Sequence, residues 1–157
     1  MDNAVLLAFL IGCLAGLRSL TPPAATALAS WLGWLKLQSP LSYIGSIPAV
    51  VILGLLALVE LVVDKLPKTP SRTAPPGLIA RIVTGGLCGA CLTSSGGPLD
   101  KAALGALVGA AGGIVGCFGG YQARKRLVSA LGIPDIYIAL LEDLIAIGGS
   151  FWILSRF

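Results

Sequence analysis

Apolar residues fill five long blocks of this chain, residues 4–20, 47–66, 77–95, 101–121 and 135–155. Each is near the ~20 residues that a helix needs to cross a ~30 Å hydrocarbon layer. Breakers separate the blocks: Thr21-Pro22-Pro23, Ser46-Ile47-Pro48, the stretch from Pro67 to Pro76, Ser94 to Pro98, and a basic run ending at Pro134. The pattern predicts an all-α, polytopic membrane helix bundle of about five spanning helices, forming one domain over residues 1–157. A sixth apolar piece, residues 24–35, is too short to span at ~1.5 Å per residue. It opens with a helix-start signal, Thr21 as N-cap and Pro22 at the first helical position. Two states fit it: a half-helix continuing the first span after a break, or an interfacial helix anchored by Trp31 and Trp34.

Composition agrees with the pattern. Of 157 residues, 56% are hydrophobic and 11% charged, with a mean hydropathy of +0.93, whereas soluble domains carry about 25% charged residues. The net charge of +4 comes from basic residues between apolar blocks, where they orient a membrane protein, and no nucleic-acid motif accompanies them. The first block lacks a basic n-region and a small-residue cleavage site, so it reads as retained. Lys65, Lys68 and Arg72 follow the second block and Arg124, Lys125 and Arg126 the fourth, against Lys36, Lys101 and Arg156 on the other side. With five spans, the positive-inside rule then predicts an N-terminus in the cytoplasm and a C-terminus outside.

Against this apolar background the acids stand out. Glu142 and Asp143 lie inside the last block, where each costs about 2.5–3.5 kcal/mol on insertion scales. Glu60 and Asp64, at i and i+4, share one side of a helix in the second block. Asp64 sits beside Lys65 at the block's end and reads as solvated, while Glu60, one turn deeper, reads as functional. Glu142 and Asp143 point about 100° apart, so one faces a polar cavity and the other pairs with a neighbouring helix, through Arg81, Arg18 or a backbone amide. Arg18, Ser19 and Thr21 precede a helix start, and unpaired N–H groups at helix starts attract anions. Arg72 and Arg81 are further candidate contacts for an anion or lipid headgroup.

A weak internal repeat links the halves. Gly12-Cys13-Leu14-Ala15-Gly16 matches Gly116-Cys117-Phe118-Gly119-Gly120, and Ala57-Leu58-Val59-Glu60 resembles Ala139-Leu140-Leu141-Glu142. Units 4–66 and 101–157 about a linking span 77–95 would form an inverted-topology pair, a plan used by secondary transporters with midplane sites. Gly105, Gly109 and Gly113 recur every fourth residue, as do Gly85 and Gly89, which allows close helix approach. Cys13, Cys88, Cys91 and Cys117 lie in Gly-rich apolar blocks and read as packing residues. The chain has no His, no nucleophile elbow and no phosphate loop, so neither an enzyme nor a cofactor is expected.

The segments Gly16 to Ala24 (with Arg-Ser-Leu-Thr-Pro-Pro), Glu60 to Arg72 (with Asp-Lys-Leu-Pro-Lys-Thr-Pro-Ser-Arg) and Ala139 to Gly148 resemble a small bacterial membrane family catalogued as domain of unknown function 4126. The resemblance implies a compact membrane bundle and no activity. Three functions compete on the residues themselves. The first is a small transporter or channel-like protein using Glu60, Asp64, Glu142 and Asp143 for an ion or ion-coupled solute. The second is an anionic-lipid or phosphate-headgroup binding or flipping protein using Arg18, Arg72 and Arg81. The third is a glycine-zipper structural protein. A thin bundle of this size favours a homodimer in the bilayer, and the carboxylates leave the identity of any metal unknown.

Overall fold

The computed structural model describes residues 2–65 and 73–157. All regular elements among them are helical: α1 Asp2–Leu17, α2 Thr21–Trp31, α3 Ile47–Val63, α4 Pro75–Ser94, α5 Asp100–Leu131 and α6 Asp135–Leu154, with a 3-10 turn at Leu41–Gly45 before α3. Local chemistry sets the boundaries. Proline occupies the first turn of α2, α3 and α4, where its missing N–H costs no hydrogen bond. The Ser46 side chain accepts from the Ala49 amide at 3.4 Å to cap α3. Gly132 ends α5 in the left-handed region at φ 62°, a conformation that glycine adopts without a Cβ penalty.

Glycine contacts fix how the helices run. A Cβ placed on Gly12 would collide with the Gly109 carbonyl, and one on Gly16 with the backbone of Gly116 and Cys117, so α1 and α5 lie parallel. Gly85 and Gly89 of α4 face Gly109 and Gly105 of α5, so those two helices are antiparallel. Together α1, α4 and α5 form a three-helix core in which backbones touch almost directly. On this core sit α2 and α6, and α3 packs chiefly on α2 and the 3-10 turn. Ile11, Ala25, Ala29, Cys88, Leu92 and Leu154 pack together where α1, α2, α4 and α6 meet.

Three expectations change. Three helices are long and apolar enough to cross a membrane, α4, α5 and α6, where five were expected. The first block is interrupted by the turn at Arg18 to Leu20, leaving α1 with 16 residues, and α3 has 17, about 24 and 26 Å against a ~30 Å layer. The fourth block, expected to stop near residue 121, continues as helix to Leu131 and makes α5 32 residues long. Residues 122–131 contain no Gly or Pro, so the basic run propagates the helix instead of ending it.

The third change concerns α2. It neither extends α1 nor lies on the surface. Most of its residues are buried, Gly45 just before α3 abuts Ser30 near the end of α2, and the end of α3 returns to the start of α2. The helix therefore doubles back beside α1 as a short re-entrant element. This reversal brings the ends of α1 and α3 together. The first residue of α1 and the last of α6 thus lie at one end of the bundle, where an odd number of transits placed them at opposite ends.

Candidate functional site

The re-entrant turn assembles the polar residues. After α1 ends at Leu17, the next residues turn into α2, and the side chain of Arg18 goes inward, where it is completely buried. Its guanidinium pairs with Asp64 just beyond α3 and, at 2.6 Å, with Asp143 of α6. Lys65 reaches the other oxygen of Asp143 at 2.6 Å. The same Lys65 ammonium donates to the Leu61 carbonyl at 2.7 Å, a favourable place for a cation at a helix C-terminus. Asp64 and Asp143, carried on different helices, thus share one buried arginine.

Beside this ion cluster lies a carboxylate held by a helix start. Glu60 Oε1 accepts from the Ser19 amide at 2.7 Å and from the Ser19 hydroxyl at 2.6 Å, and Oε2 accepts from the Leu20 amide at 2.8 Å. These amides immediately precede α2, at the positive end of its dipole. The N-terminus expected to attract an anion does hold one, supplied by the chain itself. Glu60 is buried, with 9% exposure, and three donors compensate its charge without a countercation.

A second cluster joins α5 to α6. Arg124 donates to Asp135 Oδ1 at 2.7 Å from Nε, pairs with the other Asp135 oxygen, and reaches Glu142 Oε2 at 3.2 Å. Arg81 of α4 is buried and donates to the Gly16 carbonyl at 3.0 Å and the Gly77 carbonyl at 2.9 Å, tying α4 to the last turn of α1. No group of three or more Asp, Glu, Cys or His positioned to hold a metal occurs among the described residues.

The sequence-predicted residues are therefore distributed unevenly. Arg18, Ser19, Glu60, Asp64 and Asp143 form one contiguous network. Thr21 adjoins it, and its buried hydroxyl has no hydrogen-bond partner. Glu142 turns to Arg124 and not toward Glu60, while Asp143 pairs with Arg18, one of the partners expected for the acid that meets a neighbouring helix. Asp64, read as solvated, is paired with a buried arginine. Arg72 lies outside the described residues. Two participants had been read only as orientation signals, Lys65 and Arg124. Their signal was present as spacing: Lys65 follows Asp64 directly, and Arg124 lies 11 residues before Asp135 across one helix turn-around.

An all-α bundle whose helices expose apolar faces, and which buries Arg18, Glu60, Arg81, Glu142 and Asp143 among them, has the character of a membrane protein. Val51, Ile52, Leu55, Leu58, Val59 and Val62 of α3, for example, are all more than half exposed. Within that class the family is clear: the model of domain of unknown function 4126 matches residues 5–155, and the chain belongs to this family. No curated protein and no solved structure matches it.

Proposed function

We propose that the protein is a small ion-coupled membrane transporter whose ion site is the carboxylate network around Arg18. One observation carries the reading: a fully buried arginine sits between Asp64 and Asp143 at the turn from α1 into the re-entrant α2, with Glu60 on the next amides. Fold stability is a poor reason for such an arrangement, because apolar residues of similar volume commonly replace buried ion clusters at no loss. Broken helices that gather carboxylates and free amides are instead a device of secondary transporters.

The mechanism follows from how α3 is attached. Its inner end is held to the α1–α2 turn by Glu60 and Asp64. Protonating these carboxylates, or substituting a cation for Arg18 beside Asp64, weakens that attachment. α3 then moves relative to the core, and the ion gradient biases its two positions. The site is not built on the expected inverted repeat: α1 and α5, which carry the matching Gly-Cys motifs, run parallel, whereas inverted units would run them in opposite directions. By the positive-inside rule the end carrying Lys65, Arg124, Lys125 and Arg126 faces the bacterial cytoplasm, which puts both termini outside. The headgroup reading has less support. Arg18 and the α2 amides are engaged by the chain's own carboxylates, and Arg81 is engaged by carbonyls.

The test is flux in proteoliposomes loaded with a pH-sensitive dye, with sodium present or absent. An imposed gradient should drive proton or sodium movement that disappears in Glu60→Gln and in Asp143→Asn. Flux at the wild-type rate in both variants, each eluting as a folded species, overturns the assignment.

A further inference from the structure

Between α2, α3 and α6 runs an open groove of about 500 Å³, in the range of small-molecule sites. Thr21, Ala24, Ala25, Gly54 and Ala57 supply small side chains along it, and its other walls are leucine, valine, isoleucine and phenylalanine. Thr21 is the only lining residue with a polar side chain. Its hydroxyl is buried and unpartnered among the described residues, and Thr21 itself is 6% exposed.

Gly54 is the informative residue. A Cβ there would meet nothing within 4 Å, so neither helix packing nor backbone geometry calls for glycine. In the core the reverse holds, since Gly12, Gly85 and Gly109 face backbone directly. A mid-helix glycine costs about 1 kcal/mol relative to alanine, and here its structural effect is to leave space in the groove. The groove also has a direction. Its Thr21 and Leu61 end adjoins the Glu60 network, and its Val50 end lies toward the opposite side of the bundle.

We infer that this groove is a binding slot for one acyl chain of a bilayer phospholipid, with the Thr21 hydroxyl donating to the ester carbonyl at the chain's polar end. The groove opens sideways, flanked by the exposed apolar residues Val51, Leu55 and Leu58 of α3. In a membrane that side is hydrocarbon, so the neighbour with the right chemistry is a lipid chain. A linear chain suits a groove apolar along its length and polar at one end, and an ester acceptor satisfies the Thr21 hydroxyl at that end. The inference does not rest on ion-coupled transport: the slot remains even if the carboxylates move no ion.

Photolabelling tests it. The purified protein is reconstituted in phosphatidylethanolamine and phosphatidylglycerol with a trace of phosphatidylethanolamine carrying a diazirine on its acyl chain, then irradiated and digested for mass spectrometry. Label should concentrate on residues 50–61 and 24–28, above the level on the outer face of α4 at Ile79 and Val83. Gly54→Leu, which fills the slot, should lower slot labelling roughly fivefold or more, as expected when side-chain bulk is forced into an occupied space. Gly148→Leu also projects into open space, lies outside the groove, and should leave labelling unchanged. The isosteric Thr21→Val should lower it about two- to tenfold, the effect of one hydrogen bond, and provides a reading should bulk at position 54 disturb the fold.

Labelling equal on the slot and on α4 overturns the inference, as does slot labelling that Gly54→Leu and Thr21→Val leave at the wild-type level. A Gly54→Cys variant that forms a disulfide-linked dimer and excludes the label would also overturn it, by placing a second copy in the groove.

Discussion

The two sides of this bundle are held together by opposite means. On one side α1, α4 and α5 meet through glycine, largely with backbone against backbone. On the other, α3 and α6 are joined to the α1–α2 turn by ionised groups, and an open apolar groove runs between α2, α3 and α6. Close packing has one arrangement, because a helix shifted by a fraction of a turn puts Cβ atoms where only glycine fits. Ion pairs can trade partners. The contrast assigns rigidity to the first side and a capacity for rearrangement to the second.

The sharpest way to break this contrast is to remove the central cation. Arg18→Ala leaves the buried Asp143 and the half-buried Asp64 with one partner fewer each and should cost about 3–5 kcal/mol, measured as a drop in unfolding midpoint in detergent. The companion variant Arg18→Met/Asp64→Leu/Asp143→Leu should regain most of that stability while ion flux stays absent. If the triple variant is as unstable as Arg18→Ala, the network serves folding and the division of labour is wrong. Next in size is the glycine side. Gly109→Ala drives a Cβ into the Gly85 carbonyl and should destabilise by about 1–3 kcal/mol, whereas Gly119→Ala, whose Cβ meets nothing within 4 Å, should leave stability unchanged or slightly raise it through helix propensity. Equal effects at 109 and 119 would show that the close approach is not what holds α5. Smallest is Ser19→Ala. It removes one of the three donors to Glu60 while both amides remain, and should cost about 1.5 kcal/mol in the same unfolding measurement. No change at all would mean that the Ser19 hydroxyl contributes nothing to holding α3.

What could be read in advance follows the same division. The glycine side was legible because spacing of four along a helix is a local property, and Gly105, Gly109 and Gly113 show it without reference to any other segment. The acids were legible as anomalies, because a carboxylate in an apolar block needs an offset wherever it sits. Their partners were not. Which oxygen meets which nitrogen depends on α2 doubling back, and the apolar residues 24–35 carry no mark of direction. Thr21, Pro22 and Pro23 announce that a helix starts. That it turns back beside α1 is set by the fit of Ala25 and Ala29 against Ile11, Cys88 and Leu92, a contact among segments far apart in sequence. The reversal is also why Asp64 was misread, since its neighbour in sequence is Lys65 and its neighbour in space is Arg18. Which of Glu142 and Asp143 meets which arginine was open for a related reason. Adjacent helical residues diverge by about 100°, and sequence says only that they diverge, not which of them faces α3.

Helix α5 is longer than the layer it is suited to cross. Its 32 residues make a rod of about 48 Å against roughly 30 Å of hydrocarbon. Such a rod leans steeply or stands proud of the membrane, and Arg124, Lys125 and Arg126 near one end fix which end emerges. Because Arg124 also grips Asp135 and Glu142, the emerging segment is braced against α6 and does not swing freely. In a thinner membrane the rod must lean further, and the load of leaning falls on the brace next to the carboxylates of α6.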